Sequence, residues 1–196
     1  RPSGELRKAM EECLMLMEAY DLRPEMAHKE VGGVGSRLEG ENAYSHMEQI
    51  EIDWSYNDAL QALDNEFIIK NMVLDVFNRH GLDVTFKAKP IEGVAGSGEH
   101  HHFSFTLIDE KGKKHNLFAP AHPEKDYLSP LGYGALMGLM KHYNLINPFI
   151  SSNLDALNRL KPGFEAPVST VFSMGKTVTN PTRNRSVLLC VIRDLH

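Results

Sequence analysis

Three apolar stripes of helical period, set between shorter runs that alternate with strand period, restrict this chain to a fold in which helices cover sheet. From Gly4 to Tyr20, Leu6, Met10, Cys13, Leu14 and Met17 recur at spacings of three and four, which puts them on one side of an α-helix. A second helix is predicted over 58–80, with Asn57 and Asp58 as cap candidates and Arg79, His80 and a left-handed Gly81 as its stop. Ser129 followed by Pro130 reads as a cap with proline at the first helical position and predicts a third helix to about Tyr143. The stripes Leu6 to Met17, Phe67 to Phe77 and Leu131 to Met140 each need a sheet to pack on.

The strand-like runs are shorter. Residues 23–31 enter a strand, the Gly-rich and polar stretch 32–45 reads as a loop, and 47–54 (MEQIEIDW) alternates so that one face is apolar. LDVTFKAKP (82–90) reads as a strand ended by Pro90, GSGEHHHFSFTLI (96–108) as a glycine turn entering a strand, and DEKGKK (109–114) as the turn after it. PVSTVFSM (167–174) and SVLLCVIR (186–193) are the last strand candidates. Long helices mixed with antiparallel-type strands, without repeat or linker, give an α+β fold class and one domain.

A net charge of -5 and a pI near 6.1 leave no basic field to release counterions from a polyanion, so nucleic acid is excluded as the expected partner. No apolar run reaches the roughly 20 residues that span a bilayer, and the opening residues lack the plan of a signal peptide, so no membrane is expected and the localisation is cytoplasmic. Cys13 and Cys190 are far apart and form no CxxC pair, which suits a reducing compartment.

Residues 96–104 (GSGEHHHFS) carry the densest chemistry. In an extended strand His100, His102 and Ser104 share a face, and Glu99, His101 and Phe103 take the other. Gly96 and Gly98 allow a ligand close to the backbone. Imidazole suits divalent manganese or zinc and is tolerable in a magnesium site, while a solvated polar strand with incidental histidines is equally open. Hard cations that hold ATP need carboxylates, and Glu30, near His28, and Glu51 both lie near strand edges; Glu48, at odd spacing from Glu51, belongs to the opposite face. Arg159, Arg183 and Arg185 offer planar forks for carboxylate or phosphate, with Glu165 close in sequence to the first.

Taken in order along the chain, these motifs resemble those of the glutamine synthetase family: GSGEHHHFS its GSGxHxHxS, RLKPGFEAP its RLxPGxEAP, Asn184-Arg185-Ser186 its NRS, FKAKPIEGVAGSG its FxxKPxxGxxGSG, and HKEV followed by QIE its HEV and GQxE pair. The resemblance implies a catalytic domain over 1–196 with a curved antiparallel sheet backed by helices, truncated at both ends and lacking the family's N-terminal β-grasp domain. It implies ATP-dependent ligation of ammonia to the γ-carboxylate of glutamate through an acyl phosphate, with Mg2+ or Mn2+, in a homo-oligomer; the isolated 196-residue piece is expected to be folded but inactive. By the same resemblance Glu30 and Glu51 bind one metal ion and His100 the other. His102 and Ser104 contact ATP, Gly96 and Arg159 hold glutamate, Glu165 lies at the ammonium pocket, and Arg185 stabilises the phosphates. Such a site fits the chemistry, since cations and arginine neutralise the charge on a transferring phosphoryl group.

Four departures stand out. Positions 31–50 separate Glu30 from Glu51 where the family's pair is much closer, implying an inserted loop; Ala95 replaces a usual Asn, Asp155 a frequent Asn, and Cys190 a usual Arg. Ala95 motivates an alternative, a γ-glutamylamine or polyamine ligase. Cys190 and the insertion motivate a non-catalytic structural or regulatory homologue, against which the retained Glu30, Glu51, His100, His102, Arg159, Glu165 and Arg185 weigh.

Overall fold

A computed structural model describes residues 4–37, 44–159, 169–173 and 187–190. It divides into two compact units, 1–97 and 98–196.

The first unit contains helix α1 (Gly4–Ala19), strands β1 (Pro24–Arg37) and β2 (Tyr44–Trp54), and helix α2 (Ala59–Arg79). Both helices form where their periodicity and caps place them. Asp58 accepts a hydrogen bond from the Gln61 amide at 3.2 Å, and Gly81 takes the stop position at φ +72°, a conformation that favours glycine. Ala9, Met10, Cys13 and Met17 of α1 meet Ile69, Val73, Val76 and Phe77 of α2, with Leu22 joining them. Ala27, Ile50, Ile52 and Trp54 of the hairpin pack against this cluster. Met17 and Val76 are fully buried, each contributing on the order of 1.5–3 kcal/mol relative to exposure. Phe67 lies off the buried stripe and is exposed. Burial also holds Cys13 as a thiol, its pKa pushed up to about 11.

β1 and β2 pair antiparallel along almost their whole lengths. In the stretch 32–45, read as a loop, the described residues 32–37 and 44–45 are therefore strand: Val34 pairs with Met47, Gly35 with His46, Ser36 with Ser45 and Arg37 with Tyr44. Cross-strand pairing overrides the poor strand propensity of its glycines. A bulge absorbs part of the mismatch, since Lys29 faces Ile50 and Gly33 faces Glu48, leaving Glu30, Val31 and Gly32 opposite Gln49 alone. Residues 82–90, expected as a strand, form no ladder. Local β propensity does not make a strand without a neighbour to pair with.

The second unit contains β3 (Thr106–Ile108), β4 (Lys114–Asn116), helices α3 (Pro130–Lys141), α4 (Tyr143–Ile150) and α5 (Leu154–Arg159), and strands β5 (Ser169–Ser173) and β6 (Val187–Cys190). The expected strand over 96–108 contracts to β3, so His100, His102 and Ser104 precede the ladder. Phe103 and Phe105, two residues apart, both meet Phe118 edge-on, at 6.1 and 5.3 Å between ring centroids, which retains part of the expected alternation. Asp109 closes the β3–β4 turn by accepting from the Lys111 and Lys113 amides, each at 2.9 Å. Ser129 caps α3 through the Gly132 amide at 3.1 Å. α3 stops at Lys141, and α4 and α5 are additional to the sequence reading.

The fold class is α+β. Among the described residues the strands form three two-stranded ladders, β1–β2 and β3–β4 antiparallel and β5–β6 parallel, which do not by themselves show the expected curved sheet.

His80 ties the end of α2 to α1. Its Nε2 lies 2.7 Å from Glu12 Oε2 and its Nδ1 3.1 Å from Glu5 Oε2. Hydrogen bonds to Glu12 and then Glu5 hold the imidazole pKa above its ordinary 6.5. A raised folded-state pKa means that this contribution is complete below the unfolded pKa and is lost as pH rises through the folded one. The carboxyls of Glu12 and Glu5 are held low, by His80 in the first case and by Lys8 and then His80 in the second, so the pair also weakens in strong acid. Thermal melts of wild type and His80→Gln should show a Tm gap that is largest near pH 6 and closes as pH is raised to about 9. A gap constant across that range would remove His80 from the helix contact.

Candidate metal centre

The core decides which side of the β1–β2 hairpin is free to do chemistry. Strand period 2 places Ala27, Ile50 and Ile52 toward the helices, and therefore His28, Gln49, Glu51 and Asp53 on the other face. His28 is the ladder partner of Glu51. Glu30 follows His28 by two positions, where the bulge begins.

These side chains converge. His28 Nε2 is 2.9 Å from Glu30 Oε1 and 3.7 Å from Glu51 Oε2. One ligand atom from each of the three lies within 4.8 Å of the other two. Donors bound at 2.0–2.6 Å to a common ion stand at most about 4–5 Å apart, so the three fit one divalent cation with little movement. Burial first, then hydrogen bonding to Glu30 and the charge of Asp53, push the Glu51 carboxyl above its ordinary pKa, while His28 pulls the other way. Two carboxylates so close repel unless a proton or a cation lies between them. The buried Nδ1 of His28 has no hydrogen-bond partner among the described residues.

Glu48 behaves differently, as its odd spacing from Glu51 requires. Lys29 Nζ and His46 Nε2 each reach its Oε1 at 2.6 Å, and these two partners hold its carboxyl below the ordinary range. It is a structural ion pair on the opposite face.

Of the residues singled out in the sequence, Glu30 and Glu51 are brought together. Gly96 lies in the same compact unit, and its carbonyl accepts from Gln49 Nε2 at 2.8 Å. His100, His102 and Ser104 belong to the second unit, in the segment before β3, and Arg159 closes α5. Glu165, Arg183 and Arg185 lie outside the described residues. Sequence reasoning noted His28 only as a neighbour of Glu30 and Gln49 only as part of the alternating strand and the QIE motif, giving neither a role in the site. The signal for His28 was available in its parity with Glu30; its place opposite Glu51 depends on ladder register, which the sequence does not display.

The fold and site define an α+β domain with an acidic-histidine centre on the face of a hairpin turned away from its two helices. Comparison with known proteins makes the class specific. Residues 2–194 match the family model for the glutamine synthetase catalytic domain, and the chain belongs to that family. It is 32% identical over 185 residues to a glutamine synthetase of Thermococcus kodakarensis, covering 94% of this chain and 35% of that protein. Against a glutamine synthetase of Clostridium saccharobutylicum it is 32% identical over 183 residues, covering 93% and 35% respectively. A solved structure described as "Apo GmaS without ligand" matches with a TM-score of 0.64 and 25% identity, over 87% of this chain and 35% of that one. The chain thus spans about a third of the length of these relatives. Among the described residues no helix is long and apolar enough to cross a membrane.

Manganese titration followed by electron paramagnetic resonance should show Glu51→Gln and Glu30→Gln each weakening binding by about tenfold or more, because each removes an anionic oxygen donor. Glu48→Gln should remain within about twofold of wild type, since its charge is committed to Lys29 and His46. Equal losses in all three would reduce the effect to net charge.

Proposed function

We propose that the protein carrying this chain is an ATP-dependent ligase that joins ammonia to the γ-carboxylate of glutamate. The observation that carries this reading is the convergence of Glu30 and Glu51, with His28, in a chain whose family membership extends over residues 2–194. The γ-carboxylate oxygen takes the terminal phosphoryl group of ATP and ADP departs; ammonia then attacks the acyl carbon, phosphate leaves, and a proton is lost from nitrogen.

Glu30 and Glu51 hold one Mg2+ or Mn2+ ion, with His28 beside them, and His100 holds the other. Bound there, divalent ions supply charge neutralisation for phosphoryl transfer. His102 and Ser104 bind ATP. Gly96 and Arg159 hold glutamate, the arginine through a charge-assisted pair with a carboxylate. Glu165 lies at the ammonium pocket and Arg185 stabilises the phosphates and the acyl phosphate. The β1–β2 hairpin forms part of a curved antiparallel sheet, and the whole protein works as a cytoplasmic homo-oligomer.

A second reading keeps the activation step and changes the acceptor to an alkylamine or polyamine. Ala95 favours it, since a methyl group beside Gly96 supplies no hydrogen bond and leaves room where the family's usual Asn would stand.

The deciding measurement is glutamate-dependent phosphate release from ATP by the full-length protein, with magnesium and with manganese, offered ammonia and a panel of amines. Turnover with ammonia supports the first reading, turnover confined to larger amines supports the second, and none with any amine supports a non-catalytic homologue. In the active protein Arg159→Ala should weaken apparent glutamate affinity by roughly 1.5–3 kcal/mol while leaving ATP affinity nearly unchanged. Equal losses for both substrates would assign Arg159 to folding.

A further inference from the structure

The bulge between Lys29 and Gly33 leaves Gln49 facing three residues of β1, and its side chain enters that gap. Gln49 Oε1 accepts the Gly32 amide hydrogen at 3.1 Å. Nε2 of the same carboxamide donates to the Gly96 carbonyl at 2.8 Å and approaches Ser97 Oγ at 3.4 Å. One amide therefore uses its acceptor end on the metal-binding hairpin and its donor end on the glycine turn. Gly32 is buried, and a Cβ there would stand 2.0 Å from Gln49 Oε1 and 2.8 Å from its Cδ, so the amide keeps this seat only while position 32 has no side chain. No positive φ demands glycine at this position, so its requirement is the space that the amide fills.

The turn beyond is closed on itself. The Ser97 amide donates to the Ala88 carbonyl at 2.8 Å, and Lys89 Nζ donates to the Val94 carbonyl. Gln49 joins this closed loop to the hairpin. Glu51 lies two residues from Gln49 on the same strand face, and Glu30 lies two residues before Gly32 on the bulged strand. The carboxamide thus sits between the paired carboxylates and Gly96.

We propose that Gln49, seated against Gly32, is a positioning residue that sets the glutamate-binding turn at Gly96 relative to the metal held by Glu30 and Glu51. This inference rests on the ligase reading above for its substrate, though the link itself does not. A carboxylate substrate activated at a metal must meet both at a fixed separation, and a displacement of about 1 Å can cost about a hundredfold in rate. Gln49 acts on glutamate through Gly96, so its loss should affect glutamate and spare ATP.

The test uses Gln49→Met, which keeps side-chain length and removes both hydrogen bonds, and Gly32→Ala, which displaces the amide without touching it chemically. In the full-length protein each should raise the apparent KM for glutamate by about tenfold, with the KM for ATP and the Mn2+ affinity within about twofold. The double variant should be no worse than the worse single one, because both break the same link. A glutamate KM within about twofold of wild type in both variants, or an equal rise for ATP, overturns the proposal. Hydrogen exchange gives a second readout that needs no turnover: amides of Val94 to Ser97 should exchange about tenfold faster in Gln49→Met while those of α2 are unchanged. Unchanged exchange in that loop, or uniform acceleration throughout, overturns the link. Absence of wild-type turnover would instead sink the ligase reading, with the exchange result still deciding the role of Gln49.

Discussion

Burial of one face of the β1–β2 hairpin against α1 and α2 is the constraint on which the site depends. Met10, Cys13 and Met17 from one helix and Ile69, Val73, Val76 and Phe77 from the other form a surface that accepts Ile50, Ile52 and Ala27. Because side chains alternate between faces along regular strand, fixing those three fixes the face taken by His28, Gln49, Glu51 and Asp53. A register slip of one residue would place Glu51 in the core and Ile50 among the carboxylates. The hydrophobic term opposes that slip more strongly than any local preference of the polar residues.

Regular pairing alone would not complete the site. Opposite a regular strand, Gln49 would face a single residue; the bulge gives it three and opens room for its amide. The irregularity that detracts from the ladder therefore supplies the place where hairpin and glycine turn are linked. It also changes the meaning of the long separation between Glu30 and Glu51. In the described part of what reads as an inserted loop, 32–37 and 44–45 extend the same two strands, and the carboxylates stay adjacent across the ladder.

Electrostatics divides the acidic residues of β2 into two kinds. Glu48 has the Lys29 ammonium and the His46 imidazole each at 2.6 Å, and these partners hold its carboxyl below the ordinary range. Glu51 is set among acidic neighbours and partly removed from water, which makes its charge costly. A cation relieves that cost, so the less satisfied carboxylate is the one suited to binding. His28 contributes an imidazole nitrogen to the same group, with its ring turned toward both carboxylates.

Local sequence determined the elements whose causes are local. The period of α1, the Asp58 cap and Gly81 stop of α2, and the Ser129-Pro130 start of α3 each depend on residues within a turn or two, and all three were legible. The motifs also made the family and the pairing of Glu30 with Glu51 legible, because residue types in order survive as text. Tertiary structure decided what depends on partners distant in the chain. Whether 32–37 and 44–46 are loop or ladder, whether 82–90 and 96–105 find a strand to pair with, and that His28 stands opposite Glu51 are all questions of register. Register is set by burial on the helices and by the bulge, neither of which any single segment encodes. Gln49 shows the same division: as a letter it is an ordinary polar residue of a strand, and only the fold brings Gly32 and Gly96 to its two ends.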